Sequence, residues 1–258
     1  MTVTDALGQE HRQGSGSLRI ISLVPSITET LFDLGVGDAL VGVTDFCIFP
    51  AEMPDGIARV GGTKNPAVER IRSLKPDLVH VNLEENLEKH AAEIRGFSRL
   101  FASEPKTVED VVKLITDLGQ LHDCRAAAAR WSDAALVEAS RVARGEPFSF
   151  ACPIWKDPWM WCGGDTYVSS LVETAGGRNV LAGHRRYPGL TLSAVLDLAP
   201  GIIFLPDEPY AFSEREREEI ESAAPATRVI GPFPGHLFTW HGTRTIAGLR
   251  YLRETLRP

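Results

Sequence analysis

Residues 68–86 read VERIRSLKPDLVHVNLEEN, and residues 192–210 read LSAVLDLAPGIIFLPDEPY. Each stretch is an amphipathic helical segment, a proline, a short apolar run and an acidic loop. The two prolines, Pro76 and Pro200, lie 124 positions apart in a chain of 258. A unit repeated at about half the chain length predicts two similar lobes. Two lobes imply a cleft between them, and clefts are where small ligands usually bind.

The repeat extends outward. Arg19–Val24 (RIISLV) and Phe148–Cys152 (FSFAC) are apolar runs, each followed by proline. Helical patterns come next, over Ser26–Leu34 and roughly Asp165–Ala175. Leu100–Ala102 and Arg228–Ile230 read as short strands, followed by helices over Thr107–Leu118 and Thr243–Leu256. Short strands alternating with longer helical patterns predict parallel α/β units, with right-handed crossovers. The predicted fold class is therefore α/β: two Rossmann-like parallel-sheet lobes joined by a single long backbone helix, with the ligand cleft between the lobes. The boundaries are a disordered Gly/Ser-rich tail (1–18), an N-terminal lobe (19–122), a connecting helix (123–145) and a C-terminal lobe (146–258).

Local signals refine this. Ser26 and Glu29 fit a capping box. Gly35 and Gly37 stop the first helix, and Gly176–Gly177 stop its counterpart. Gly119 divides the helical stretch after Thr107 into a lobe helix and a connector of about 20 residues, about 30 Å long. A helical connector implies small lobe movements and a monomer.

Composition excludes some functions. A net charge of −7 and no basic cluster argue against nucleic acid. No apolar run approaches the length of a membrane span. The first residues lack a basic start and an apolar core, which points to a cytoplasmic protein as the chain is written, or a periplasmic one if the true start lies upstream. Four cysteines without C-x-x-C spacing are expected as free thiols, with a Cys152–Cys162 bridge as the alternative.

In parallel sheets, ligands bind beyond the carboxyl ends of the strands. That rule selects Phe46, Thr63, Lys64, Asn65, Glu84, Glu85 and Asn86 in the first lobe. In the second it selects Trp155, Trp159, Trp161, Asp165, Tyr187, Glu208, Tyr210 and Trp240; Arg244, which begins the last helix, is a further candidate, for an anionic ligand. The run PIWKDPWMWCGG (153–164) holds three of the five tryptophans. It is either a packed minicore or an aromatic wall for a large flat ligand. Gly163–Gly164 offer N–H groups to an anion, or the following helix is simply capped by Asp165 or Thr166. His236 and His241 are candidate metal ligands. No P-loop, G-x-G-x-x-G, G-x-S-x-G or H-E-x-x-H motif is present. No intrinsic cofactor is expected, and the motifs point to a non-enzyme.

Beyond these patterns, RIISLVPSITETLFDLGVGDALVGVTDFCIFP (19–50), VGGTKNPAVERIRSLKPDLVHVN (60–82) and GGDTYVSSLVETAGGRNVL (163–181) resemble the class III periplasmic binding proteins, the vitamin B12 and ferric-siderophore receptors of ABC importers. The resemblance covers Arg19 to Leu256. It implies two α/β lobes joined by one long helix, and a metal chelate as ligand: a corrinoid such as cobalamin, haem or an iron siderophore. It matches one cleft aromatic to Phe46 and places two others at Thr63 and Asn82, where the aromatic is absent. It implies docking on an ABC permease dimer through one glutamate per lobe. Glu69 matches the first; Ser193 stands at the second, with Asp197 one turn on. The rival reading is a chelatase-like tetrapyrrole enzyme using Glu84, Glu85, His236 and His241.

Overall fold

The two matched stretches take up the same backbone path. In the computed structural model, which describes residues 2–12, 18–142 and 146–256, the residue before each proline is left-handed: Lys75 has φ 48° and Ala199 has φ 49°. Each proline carbonyl then accepts from the hydroxyl of the residue just before a neighbouring strand. Ser98 donates to Pro76 at 3.1 Å, and Thr227 to Pro200 at 3.0 Å. The repeat read in the sequence is thus a repeat of hydrogen bonds.

The chain divides into two compact units, one running up to Pro105 with Val112–Asp133, the other Lys106–Val111 with everything from Ala134. The first contains β1 (Thr2–Thr4), β2 (Glu10–Arg12), β3 (Ile20–Ser22), α1 (Pro25–Asp33), β4 (Leu40–Val43), β5 (Ala58–Arg59), α2 (Val68–Ser73), β6 (Leu78–Asn82), α3 (Glu88–Arg95) and β7 (Arg99–Ser103). Two helices, α4 (Val108–Leu121) and α5 (Arg125–Val142), contribute residues to both units. The connector expected over 123–145 contains α5; its residues 143–145 lie outside the described residues. The second unit holds β8 (Phe148–Ala151), β9 (Pro153–Trp155), β10 (Met160–Trp161), α6 (Tyr167–Thr174), β11 (Gly177–Asn179), α7 (Leu192–Leu196), β12 (Ile202–Pro206), α8 (Glu214–Ala223), β13 (Arg228–Phe233), α9 (His236–Thr239) and α10 (Thr245–Thr255).

Each unit is built on a parallel sheet, with order β5-β4-β3-β6-β7 in the first and β11-β8-β12-β13 in the second. The central strands are buried along their whole length, β3 and β6 as well as β12. Burial on both faces is why they read as unbroken apolar runs rather than alternating ones. Ile21, Val79, Leu100 and Ile71 centre the first core; Ile203, Leu205, Val195 and Ile220 centre the second. In the second unit, buried Glu138 of α5 accepts from Arg253 at 2.7 Å and Arg250 at 3.4 Å, tying α5 to α10.

Three expectations are corrected. Residues 2–12, read as part of a disordered tail, form an antiparallel hairpin; Met1 and residues 13–17 of that expected tail lie outside the described residues. The Ala6 N–H donates to the Ala102 carbonyl at 2.9 Å, and the Asp5 carboxylate accepts from the Ala102 N–H at 3.2 Å. Asp5 also pairs with buried His11 at 3.1 Å. The hairpin therefore satisfies polar groups on edge strand β7, a role that its polar composition conceals. The capping box is not used either. Helix α1 has Pro25 at its first position and Val24 as N-cap without a side-chain bond; the preset φ of proline suits that position. Finally, Gly119 does not break α4. A Cβ there would come within 2.2 Å of the Ala128 Cβ, so glycine lets α4 and α5 approach closely.

The left-handed residues give a direct test. Lys75→Val and Ala199→Val are each expected to lower the unfolding free energy by about 1–2 kcal/mol, because β-branched side chains resist φ > 0. Glycine at either position leaves stability near wild type. Urea denaturation of the six-variant set, singles and doubles, measures both.

Candidate functional site

The strand-end loops of the first unit are pinned from below and present side chains above. After β4 the run Phe46-Cys47-Ile48 alternates. Cys47 is buried, with Thr28 and Thr44 hydroxyls each 3.1 Å from its sulfur, and burial pushes its thiol pKa up. The Arg59 guanidinium donates to the Thr44 and Cys47 carbonyls at 2.8 and 2.9 Å. With the intervening residue locked, its neighbours point outward: Phe46 is 60% exposed and Ile48 56%. Glycine at 62 leaves room for the Phe46 ring, which a Cβ would meet at 3.2 Å.

Asparagines frame the rest of this surface. The Asn86 amide donates to the Leu23 and Thr63 carbonyls at 3.2 and 2.9 Å and accepts from the Asn82 N–H at 2.8 Å. One side chain thus joins the loops after β3, β5 and β6. Asn82 in turn accepts from the Glu84 and Glu85 N–H groups at 2.8 and 3.3 Å. The Lys64 ammonium reaches the Glu84 carbonyl at 2.5 Å. Lys64 and Asn65 are exposed; Thr63, Glu84 and Glu85 are half-buried; Asn86 is buried in the frame.

In the second unit the tryptophan loop is largely a minicore. Trp161 is fully buried and donates to the Leu190 carbonyl at 3.0 Å. Trp159 stacks on Trp161 at 5.4 Å and on Phe212 at 5.8 Å. Buried Lys156 lies 5.2 Å over the Trp159 ring and pairs with Glu216 at 3.3 Å and Glu219 at 2.5 Å. Those pairings hold the Lys156 pKa up against its desolvation. Only Trp155 stands out, 42% exposed, with its ring edge 5.6 Å from Tyr210. Both readings of the tryptophan run therefore have residues: Trp159 and Trp161 pack, and Trp155 presents a face.

The glycine N–H groups are not available to an anion. Gly163 donates to the Arg186 carbonyl at 2.8 Å and Gly164 to His184 at 2.9 Å. Helix α6 is capped by the Thr166 hydroxyl, which accepts from the Ser169 N–H at 3.3 Å. The Asp165 carboxylate accepts from the Arg186 N–H at 2.5 Å and lies 3.6 Å from Arg185, which lowers its pKa. Asp165 thus positions the 184–187 loop that carries half-buried Tyr187.

After β12, Asp207 accepts from the Gly235 N–H at 2.7 Å. Glu208 accepts from the Thr239 hydroxyl at 2.9 Å, and burial raises its pKa. Trp240 is 9% exposed, its ring edge-on to His236 at 5.9 Å. Burial and nearby Arg244 lower the His236 pKa. His241 is buried against Tyr167, with centroids 6.2 Å apart, and burial lowers its pKa to about 4. Among the described residues no group of three or more His, Cys, Asp or Glu side chains is placed to hold a metal ion.

Glu69 and Ser193 occupy the second positions of α2 and α7 and are both exposed. Glu69 leans on Arg72 at 3.3 Å. Sequence reasoning missed Ile48, Arg59 and Lys156. The alternation Phe46-Cys47-Ile48 was a legible in–out signal; the arginine and lysine clamps had none.

The family model described as periplasmic binding protein matches residues 20–224. An uncharacterised ABC transporter substrate-binding lipoprotein of Bacillus subtilis is 28% identical over 274 residues, spanning 100% of this chain and 86% of that protein. A vitamin B12-binding protein of Vibrio parahaemolyticus is 26% identical, over 72% of this chain and 70% of its own. The periplasmic heme-binding protein RhuT from Roseiflexus has the same fold, with a TM-score of 0.79, 24% identity, and coverage of 93% of this chain and 98% of the other.

Two outcomes test the site. Lys156→Ala strands buried Glu216 without its cation and is expected to cost about 3 kcal/mol, with the Trp159 emission shifted to the red. For pH, His122 and His241 both have folded-state values of about 4 against 6.5 for the free side chain. The unfolded chain therefore binds protons first, so their contribution is complete above pH 6.5 and is lost as pH falls toward 4. His241→Gln flattens that limb of a melting-temperature profile.

Proposed function

Because the chain belongs to the periplasmic binding protein family, we propose that it is a non-catalytic solute-binding protein for a metal chelate, a corrinoid or a haem-like or siderophore iron complex, serving ABC-type import. The observation that carries this reading is the pair of outward-held rings, Phe46 in one unit and Trp155 in the other. Each sits on the strand-end loops of its own sheet, where ligands of parallel sheets bind. Each is flanked by a buried residue that is itself pinned: Cys47, whose carbonyl accepts from the Arg59 guanidinium, beside Phe46, and Lys156, paired with Glu216 and Glu219, beside Trp155.

Exposed aromatic faces suit a large, flat, partly apolar ligand. They supply contact area at little conformational cost. Lys64, Asn65, Glu84 and Glu85 add polar groups in the first unit; Tyr187, Glu208, Tyr210 and Arg244 add them in the second. Relatives with vitamin B12 or heme in their names bracket this ligand class. The lipoprotein relative and the family description support a site of action outside the cytoplasm. No described helix is long and apolar enough to cross a membrane; a permease partner would carry the ligand across. Exposed Glu69 would meet that partner on one unit; on the other, Ser193 offers no charge.

Support for the chelatase reading is weaker. His241, one of its metal-transfer groups, is buried against the Tyr167 ring.

A thermal-shift screen against aquocobalamin, cobinamide, haemin and ferric siderophores tests the proposal. A ligand at 100 times its dissociation constant stabilises by about 2.7 kcal/mol. Phe46→Ala and Trp155→Ala are each expected to weaken binding about tenfold, or about 1.4 kcal/mol, while melting as wild type without ligand. No shift with any chelate, or unchanged affinity in the double variant, would overturn it.

A further inference from the structure

Two of the four cysteines sit opposite each other at the foot of the tryptophan loop. Strand pairing in the β9–β10 ladder sets Trp161 against Pro153, so the next position sets Cys162 against Cys152. The Cys162 N–H donates to the Cys152 carbonyl at 2.8 Å. Both side chains are fully buried, and the Cys152 thiol makes a long contact, 3.7 Å, to the Pro153 carbonyl. Their backbones are not free to drift apart. Cys152 directly follows β8, an inner strand of the sheet, and the Cys162 carbonyl accepts from the Asn179 amide at 3.0 Å. Cys47 lies in the other unit, and Cys124 begins the approach to α5, so neither competes for either partner.

We propose that Cys152 and Cys162 are a redox pair that closes to a disulfide under oxidising conditions and clamps the loop carrying Trp155, Lys156 and Trp159. The oxidant is a low-molecular-weight disulfide. One cysteine thiolate attacks a sulfur of that disulfide, breaking its S–S bond and expelling one small thiol. The second cysteine attacks the mixed disulfide, forming the Cys152–Cys162 bond and expelling the other. Two electrons pass from the protein to the small disulfide, and the two cysteine protons end on the two released thiols. Desolvation raises the Cys152 thiol pKa, so attack by that thiol is slow in the closed loop and proceeds when the β9–β10 ladder opens or as the chain folds. The bridge persists in an extracytoplasmic compartment; that compartment rests on the functional reading above, whereas the thiol chemistry does not.

The test uses the full chain equilibrated in graded mixtures of reduced and oxidised glutathione, with thiols counted after denaturation. Four free thiols in reducing buffer should fall to two in oxidising buffer. Trypsin cleaves after Lys156, so the bridge appears as two peptides joined through positions 152 and 162. Cys124→Ser should go from three thiols to one with the same joined peptides. Closing a loop of this size should raise the melting temperature by about 5 °C. Four thiols persisting at the most oxidising ratio, a linkage through Cys47 or Cys124, or a bridged form that melts with the reduced one would each overturn the proposal. None of these readouts involves ligand, so they fail or succeed separately from the binding screen.

Discussion

Burial of the parallel sheets on both faces is the constraint from which the rest of each unit follows. A strand such as β6 or β12 has no solvent face, so it can carry no accessible chemistry along its length. Every group able to meet a ligand is displaced to the loops beyond the strand ends. Those loops then need rigidity of their own, because the sheet ladders end below them. The chain supplies it with side-chain amide, guanidinium and ammonium groups and, around Trp155, with the short β9–β10 ladder.

The two units solve that problem differently. In the first, one amide, Asn86, bonds to three loops, and Arg59 grips two carbonyls of a fourth segment. Polar frames of this kind are specific because each partner left unpaired would carry a desolvation cost. In the second, an apolar stack of Trp159, Trp161 and Phe212 does the same work, with Lys156 spanning its edge. Each arrangement leaves one large ring outside, Phe46 or Trp155. Phe46 is turned outward next to buried Cys47, and Trp155 next to buried Lys156.

The ends of the sheets diverge as well. Edge strand β7 is covered by the N-terminal hairpin, through Ala6 and the Asp5 carboxylate. A hairpin whose strands read TVT and EHR, with Val3 as their one apolar residue, has too few apolar residues to register as structure in a pattern search. Its order comes from docking on a partner 97 positions away, the separation between Asp5 and Ala102. Gly119 misled for a related reason: glycine within a helical pattern suggests a break, but close packing against Ala128 also selects it.

By itself the sequence determined the α/β class, the duplication and the loops where function sits. Those features rest on local periodicity and on proline and glycine positions, which act over a few residues. It also carried the alternation that turns Phe46 outward. Tertiary structure alone decided which members of a loop are frame and which are surface. Asn86, Asp165, Trp161 and His241 were equally good candidates by position. Asn86, Trp161 and His241 are withdrawn from the surface by partners 63, 29 and, for the Tyr167 ring against His241, 74 residues distant, while Asp165 stays half-buried on a partner 21 residues away. Burial is a property of the neighbours that folding assembles, and residue type at a loop position does not encode them.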